Sequence, residues 1–289
     1  MQTVAIFGVG LIGGSFALAL KKAGFEGRII GVSSPATLEA AREIGAIDEA
    51  LPAAQAAADA DLIYLAQPIC RILDTLPQIN AWVRPDALVT DAGSTKEAIV
   101  ARAGETLTRC AFLGGHPLAG KELRGVMHAD ADLFRSRPYV LTPQTDANMG
   151  LPLAITFLEW LERIGARPIV TKPAQHDRVV AYTSHLPQLT STALAACLNG
   201  QFDGAKPAFW GPALLDTTRL ALSAYDIWKD ILYTNRAHIE TALDAYIDQL
   251  QQLRAMLGGS DLKGVFDEGA AVAARLRDFV QPPGRLDAK

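Results

Sequence analysis

The chain has 289 residues, 49% of them hydrophobic and 20% charged, with a formal net charge of −4. That is enough apolar material for one large domain or two ordinary ones, and the charge balance excludes both a basic nucleic-acid binder and an acidic disordered tail. Cys70, Cys110 and Cys197 are far apart, which excludes a C-x-x-C pair and points to free thiols in a reducing cytoplasm. No apolar run reaches the roughly 18 residues of a membrane span. The apolar N-terminus lacks a basic lead-in, so it reads as part of the fold rather than a signal peptide.

Thr3–Phe7 reads as a buried strand, followed at once by Gly8-Val9-Gly10-Leu11-Ile12-Gly13-Gly14-Ser15 and a helix over residues 16–23. This is G-x-G-x-x-G between a strand and a helix, the setting in which the pattern marks a dinucleotide site. Gly8 permits the turn, Gly10 leaves space for a pyrophosphate, and Gly13 lets helix and strand pack. The amides at Leu11, Ile12 and Gly13 then face the phosphates.

Arg28–Val32 is the second strand. Its end holds Ser33, Ser34 and Thr37 where NAD enzymes commonly carry a carboxylate on the ribose. Hydroxyls without a carboxylate favour NADP, with NAD the alternative; the same residues also read as a turn that caps the next helix. Helix is expected over 38–43 and strand over 61–66, running into Gln67-Pro68. Residues 69–83 read as helix interrupted near Pro77. Strands follow at 87–90 and 111–114, then at 138–142 and 167–171 around a helix over 149–164. Alternating strands and helices predict a parallel, doubly wound sheet of Rossmann type. Gln67, Pro68, Ser94 and His116 fall at carboxyl ends of its strands, where such sheets bind ligands.

Strand signals stop near Pro173. The expected division is a dinucleotide-binding domain over 1–172 and an all-α substrate-binding and dimerisation domain over 173–289. Residues 174–198 read as one helix bent at Pro187, 212–222 as a shorter one, 225–257 as a very long one, and Leu262–Val280 as the last. Leu243, Tyr246, Ile247, Leu250, Leu253 and Leu257 recur at helical spacing. That surplus apolar face predicts a homodimer, against the plainer alternative of an isolated two-layer helical domain.

His116 is the best candidate proton acceptor, since histidine titrates near neutrality and this one lies in a Gly/Pro-bounded turn at a strand end. Composition alone leaves His185 open as a core residue or a ligand. Arg219, on a mostly apolar helix, needs a carboxylate from Asp216 or from a substrate. His128, His176 and His238 have no comparable setting, although His176-Asp177 opens a helix. No H-x-x-x-H spacing occurs, so no metal site is predicted.

Val9-Gly10-Leu11-Ile12-Gly13-Gly14-Ser15, Val89-Thr90-Asp91-Ala92-Gly93-Ser94-Thr95-Lys96, Gly115-His116-Pro117-Leu118-Ala119-Gly120-Lys121-Glu122 and His176-Asp177 with Ser184-His185-Leu186-Pro187-Gln188 occur in this order. Together with Asp216-x-x-Arg219 and Trp228 they resemble the prephenate/arogenate dehydrogenases of tyrosine biosynthesis, over nearly the whole chain. The resemblance implies oxidative decarboxylation of a cyclohexadienyl ring. It implies His116 as the base for the ring hydroxyl, Ser94 as a hydrogen-bond partner of that hydroxyl, Arg219 as the holder of a substrate carboxylate and His185 as a pocket residue. It implies Trp228 as a contribution from the partner subunit, and Glu122 and Asp216 as acidic partners that position the arginine. Lys121 departs from the small hydroxyl residue of many relatives. No fused mutase or regulatory domain is expected, so tyrosine inhibition would act at the active site.

No decisive charge separates prephenate from arogenate; Gln188 is the residue placed against the group that differs. The competing readings are a β-hydroxyacid-type dehydrogenase or imine reductase, and a nucleotide-sensing module without turnover. The second leaves Ser94, His116 and Arg219 unexplained.

Overall fold

The computed structural model describes residues 1–121, 123–199, 201, 210–259 and 262–280. Within them the order is β1 (Thr3–Phe7), α1 (Leu11–Lys22), β2 (Arg28–Val32), α2 (Pro35–Glu43), β3 (Glu49–Ala50), α3 (Ala53–Asp59), β4 (Leu62–Leu65), α4 (Ile69–Trp82), β5 (Leu88–Asp91), α5 (Glu97–Thr106) and β6 (Ala111–Pro117). There follow β7 (Pro138–Pro143), α6 (Pro152–Arg163), β8 (Arg167–Val170), α7 (Pro173–Val180), α8 (Leu186–Cys197), α9 (Pro212–Thr218), α10 (Tyr225–Thr234), α11 (Arg236–Met256) and α12 (Leu262–Val280). Contacts divide the chain into two compact units, Met1–Ile239 and the segment from Glu240 onward.

The first unit is built on one eight-stranded sheet in the order β3-β2-β1-β4-β5-β6-β7-β8. Side chains alternate between its faces. Val4 and Ile6 of β1, with Leu62 and Tyr64 of β4, enter one apolar layer with α1 and α6. Ala5 and Phe7, with Ile63 and Leu65, enter the other with α3 and α4. Both faces are covered, which is why the inner strands read as unbroken apolar runs.

The sheet is not wholly parallel. β6 and β7 are antiparallel, with His116 opposite Val140 and Pro117 opposite Tyr139. Among its described residues the link between them holds a short 3-10 turn at Val126–His128 rather than a helix that could carry the chain back across the sheet. This pairing extends β6 three residues beyond the predicted 111–114, so His116 lies within the strand, not in a turn after it.

Several helices differ from their sequence readings. α4 runs through Pro77 without a break, because Ile72, Leu76 and Ile79 anchor it in the core on both sides. α5, which the sequence did not reveal, starts with its amides bonded to a carboxylate from α7 instead of a local cap. The predicted 174–198 helix is α7 and α8 joined by a π turn at Ala181–His185, where Leu186 N–H bonds Ala181 O. The wider turn lies just before Pro187, which has no N–H to give to the preceding turn. The predicted 225–257 helix breaks at Asn235, between α10 and α11.

In the second unit, Tyr246, Ile247, Leu250 and Leu257 of the predicted stripe are exposed, as are Phe266 and Leu276 of α12. No helix among the described residues is long and apolar enough to cross a membrane.

Candidate active site

The cleft forms where the strand order reverses, between β1 and β4. Gly8 has φ +91°, and a Cβ there would sit 2.8 Å from the Ala66 carbonyl. At Gly13 a Cβ would meet Gly8 O at 2.2 Å. At Gly10 it would meet nothing within 4 Å. Gly8 and Gly13 are therefore needed for close packing, whereas Gly10 borders open space. α1 has no side-chain cap, so its first-turn N–H groups point to this space unpaired by a cap. The arrangement fits the phosphates of a dinucleotide. A cavity of about 390 Å³ continues from Gly10, Leu11 and Ile12 past Gln67, Pro68 and Ser94 to Lys121, Arg124 and one face of α10. Ser33 and Ser34 are exposed beyond β2, and Ser34 Oγ lies 2.9 Å from Thr37 Oγ1.

α10 closes the cleft. Asp230 accepts a hydrogen bond from Cys70 N at 3.0 Å at the start of α4, and Thr234 Oγ1 lies 2.7 Å from Thr95 Oγ1. The two contacts tie α10 to the loops that follow β4 and β5.

Behind Ser94 the turn is held by a buried ion pair. Lys96 Nζ bonds the Asp91 carboxylate and also donates to Gly115 O at 2.7 Å. Asp91 in turn accepts from Gly93 N at 2.8 Å and Gly115 N at 3.0 Å. Burial raises the Asp91 carboxyl and lowers the Lys96 amine, while their mutual attraction opposes both shifts. The pair fastens the Ser94 turn to the residue before His116.

His116 is joined to two residues whose role the sequence did not reveal. Its Nδ1 lies 2.8 Å from His176 Nε2, and His176 Nδ1 lies 2.7 Å from Asp177 Oδ1. Asp177 also accepts from Lys96 N at 2.7 Å and Glu97 N at 2.9 Å. A carboxylate only accepts, so His176 Nδ1–H donates to it; with a neutral His176 ring, Nε2 then accepts from His116 Nδ1–H. His116 Nε2 is left as the unprotonated nitrogen. Burial, with His176, Lys96 and His185 nearby, holds the His116 imidazole well below the usual histidine range, so it rests neutral. No spacing rule pairs residues 60 positions apart; the adjacent His-Asp at a helix start was the one available signal.

His185 is 1% exposed in the π turn, and its ring meets Trp228 edge-on with centroids 5.9 Å apart. Trp228 thus packs on its own chain's histidine, where the resemblance implied a contribution from the partner subunit, because α10 folds back over the π turn. Burial lowers His185 to about 4 against the opposing pull of Asp177. Gln188, expected against the substrate, spends its amide nitrogen on Leu220 O at 2.8 Å and Thr192 Oγ1 at 3.2 Å. Ser191 Oγ accepts from Ala221 N at 3.1 Å. These bonds hang the 3-10 turn Arg219–Leu222 on α8, one helical turn from His185. Arg219 at the start of this turn and Asp216 in α9 before it are exposed. Glu122 lies outside the described residues. Among the described residues no cluster of metal-ligating side chains occurs.

With this geometry in place, comparison with known proteins is decisive. Residues 16–170 match the nucleotide-binding domain of prephenate dehydrogenase, and residues 172–267 match its dimerization domain. The chain belongs to the prephenate/arogenate dehydrogenase family. It is 31% identical over 281 residues to the prephenate dehydrogenase of Lactococcus lactis, covering 94% of this chain and 77% of that protein. The crystal structure of prephenate dehydrogenase from A. aeolicus, in complex with hydroxyphenyl propionate and NAD+, superposes with a TM-score of 0.86 at 29% identity, covering 96% of this chain and 98% of that one. Synechocystis arogenate dehydrogenase gives 0.81 at 31% identity, with 96% and 99% covered. The family's members are oxidoreductases of tyrosine biosynthesis that act by oxidative decarboxylation.

Proposed function

We propose that this dehydrogenase converts prephenate, arogenate or both to 4-hydroxyphenylpyruvate or tyrosine, with NADP+ preferred over NAD+ as hydride acceptor. The observation that carries the reading is the line Asp177–His176–His116, which leaves His116 Nε2 free to accept a proton. A nicotinamide bound in the cleft supplies the hydride acceptor. His116 takes the proton of the ring hydroxyl as hydride leaves the same carbon. The bond to the ring carboxylate then breaks, releasing carbon dioxide, and its electron pair completes the aromatic ring. The proton returns to the phenolic oxygen, so the net products are a phenol, carbon dioxide and reduced cofactor. Asp177, through His176, stabilises the imidazolium that forms between the two proton transfers.

Ser94 bonds the ring hydroxyl, and Arg219 and His185 hold the substrate, with Trp228 and Gln188 beside them and Asp216 positioning the arginine. Gln188 contributes through its position on α8, since its amide nitrogen is already engaged. We assign the cofactor to residues 1–172, and the substrate site and pairing with a second copy to residues 173–289, a division that differs from the contact units Met1–Ile239 and Glu240 onward. Support for a homodimer comes from the exposed apolar side chains of α11 and α12 together with the dimerization-domain match. Preference for NADP rests on the hydroxyl cluster of Ser33, Ser34 and Thr37 after β2. Initial rates with both substrates and both cofactors test the proposal. Reduced NADP should form fastest; no reduction with any of the four pairs would refute it.

A further inference from the structure

Asn235 is 2% exposed and stands at the break between α10 and α11. Its Nδ2 lies 2.9 Å from Asp177 O and 3.1 Å from His185 Nδ1. A backbone carbonyl only accepts, so the amide must turn its NH2 toward Asp177. The second hydrogen of that NH2 then goes to His185 Nδ1, which must accept. Turning the amide over would set Oδ1 against the Asp177 carbonyl and lose that bond, so the Asp177 carbonyl decides the orientation. Among the described residues Asn235 Oδ1 has no hydrogen-bond partner.

We propose that Asn235 is a positioning residue that fixes His185 in the Nε2–H tautomer, making it a hydrogen-bond donor to an anionic group of the substrate. This rests on the reading of His185 as a pocket residue. The two site histidines are thereby set to opposite tasks. His116 offers an unprotonated Nε2 that accepts, and His185 offers an Nε2–H that donates, each with its Nδ1 occupied by a neighbour. The line that fixes one also fixes the other, because Asp177 takes His176 on its carboxylate and Asn235 on its backbone carbonyl. The break between α10 and α11 falls at this same residue, whose backbone has φ −117° and ψ 23°. Donation from a neutral imidazole needs no proton uptake, which suits a histidine held at about 4 by burial. Among the described residues, Asp177 favours protonation of the His185 ring and His176 opposes it, and His116 is close enough to interact with it as well. Trp228 covers it from α10.

The tautomer is read directly by 15N–1H correlation spectra of the imidazoles in the wild-type protein, with His185 assigned by its loss in His185→Gln. A protonated Nε2 and a bare Nδ1 are expected; a protonated Nδ1 would overturn the proposal. Asn235→Asp is similar in size but presents an acceptor to Nδ1. It should favour Nδ1–H and raise the His185 pKa. In this variant donation from Nε2 needs the imidazolium, so KM should rise roughly 10-fold between about pH 6 and pH 9, with a smaller change in kcat. The wild-type KM should show no His185 titration in that range. If the spectra give Nε2–H in the wild type and Nδ1–H in Asn235→Asp while KM stays flat in both, His185 does not donate to substrate, and the proposed substrate role is overturned with it. The spectral result separates that failure from a wrong assignment of Asn235.

Discussion

His176 Nε2 stands 2.8 Å from His116 Nδ1, and the rings meet nearly edge to face at 73°. The contact fixes which nitrogen of the base is free, since His176 is itself bound to the Asp177 carboxylate. Replacing His176 by leucine removes this control. His116 can then expose Nδ1 or Nε2, and its imidazolium loses the stabilising carboxylate beyond. A fall in kcat of about 10²-fold or more is expected, with cofactor affinity unchanged. Steady-state rates with a fluorescence titration of the reduced cofactor would check both halves.

The low position of His116 sets the pH dependence of the reaction. A base held well below the usual histidine range is already in its accepting form near neutrality. The acid limb of kcat/KM, which reports the free enzyme, should therefore lie well below the ordinary histidine value of about 6.5. A full pH profile with prephenate or arogenate would show it.

The same burial makes stability acid-sensitive. His185 sits at about 4 in the folded chain and near its ordinary value when unfolded. The unfolded chain thus binds more protons between those limits. The stability due to a neutral His185 is complete above about pH 6.5 and is lost as pH falls toward 4, at about 1.4 kcal/mol per pH unit. His116 adds to the slope in the same direction. The midpoint of urea melts should fall with acid across this window, and His185→Gln should remove close to one proton's worth of the dependence.

Much of this was legible in the sequence, and the exceptions share a cause. The glycine turn, seven of the eight strands and the helical second half follow local rules of spacing and period. Apart from the short β3 and α3, what escaped detection depends on residues that meet only in the fold. The start of α5 is capped by Asp177, 80 residues on. The break at Asn235 serves His185 and Asp177, neither of them on its own helix. His176 looked unremarkable because its partner His116 is 60 positions away. The reversed direction of β7 was missed because strand pattern carries no sense of direction.

Lys96 and Asp91 are both fully buried, so the cost of separating them is large. Lys96→Met leaves the Asp91 carboxylate without its cation and frees Gly115 O. A loss of about 3–5 kcal/mol in unfolding free energy is expected, measurable by urea denaturation. The double variant Lys96→Met with Asp91→Asn should recover part of it, because no buried charge then stands alone.

Arg219 lies on the turn that Gln188 and Ser191 hold against α8. Arg219→Ala should chiefly raise the substrate KM, by roughly 10- to 100-fold, because a charge-assisted bond to a carboxylate is removed. The KM for the cofactor should not change. Paired titrations of substrate and cofactor against the wild type would distinguish the two.

The central claim is that His116 takes the proton of the ring hydroxyl. Its most direct test is the rate of reduced-cofactor formation by His116→Asn at saturating substrate, with cofactor binding measured on the same preparation. The account predicts intact binding and turnover lower by about 10²- to 10⁴-fold; turnover close to that of the unaltered enzyme would contradict it.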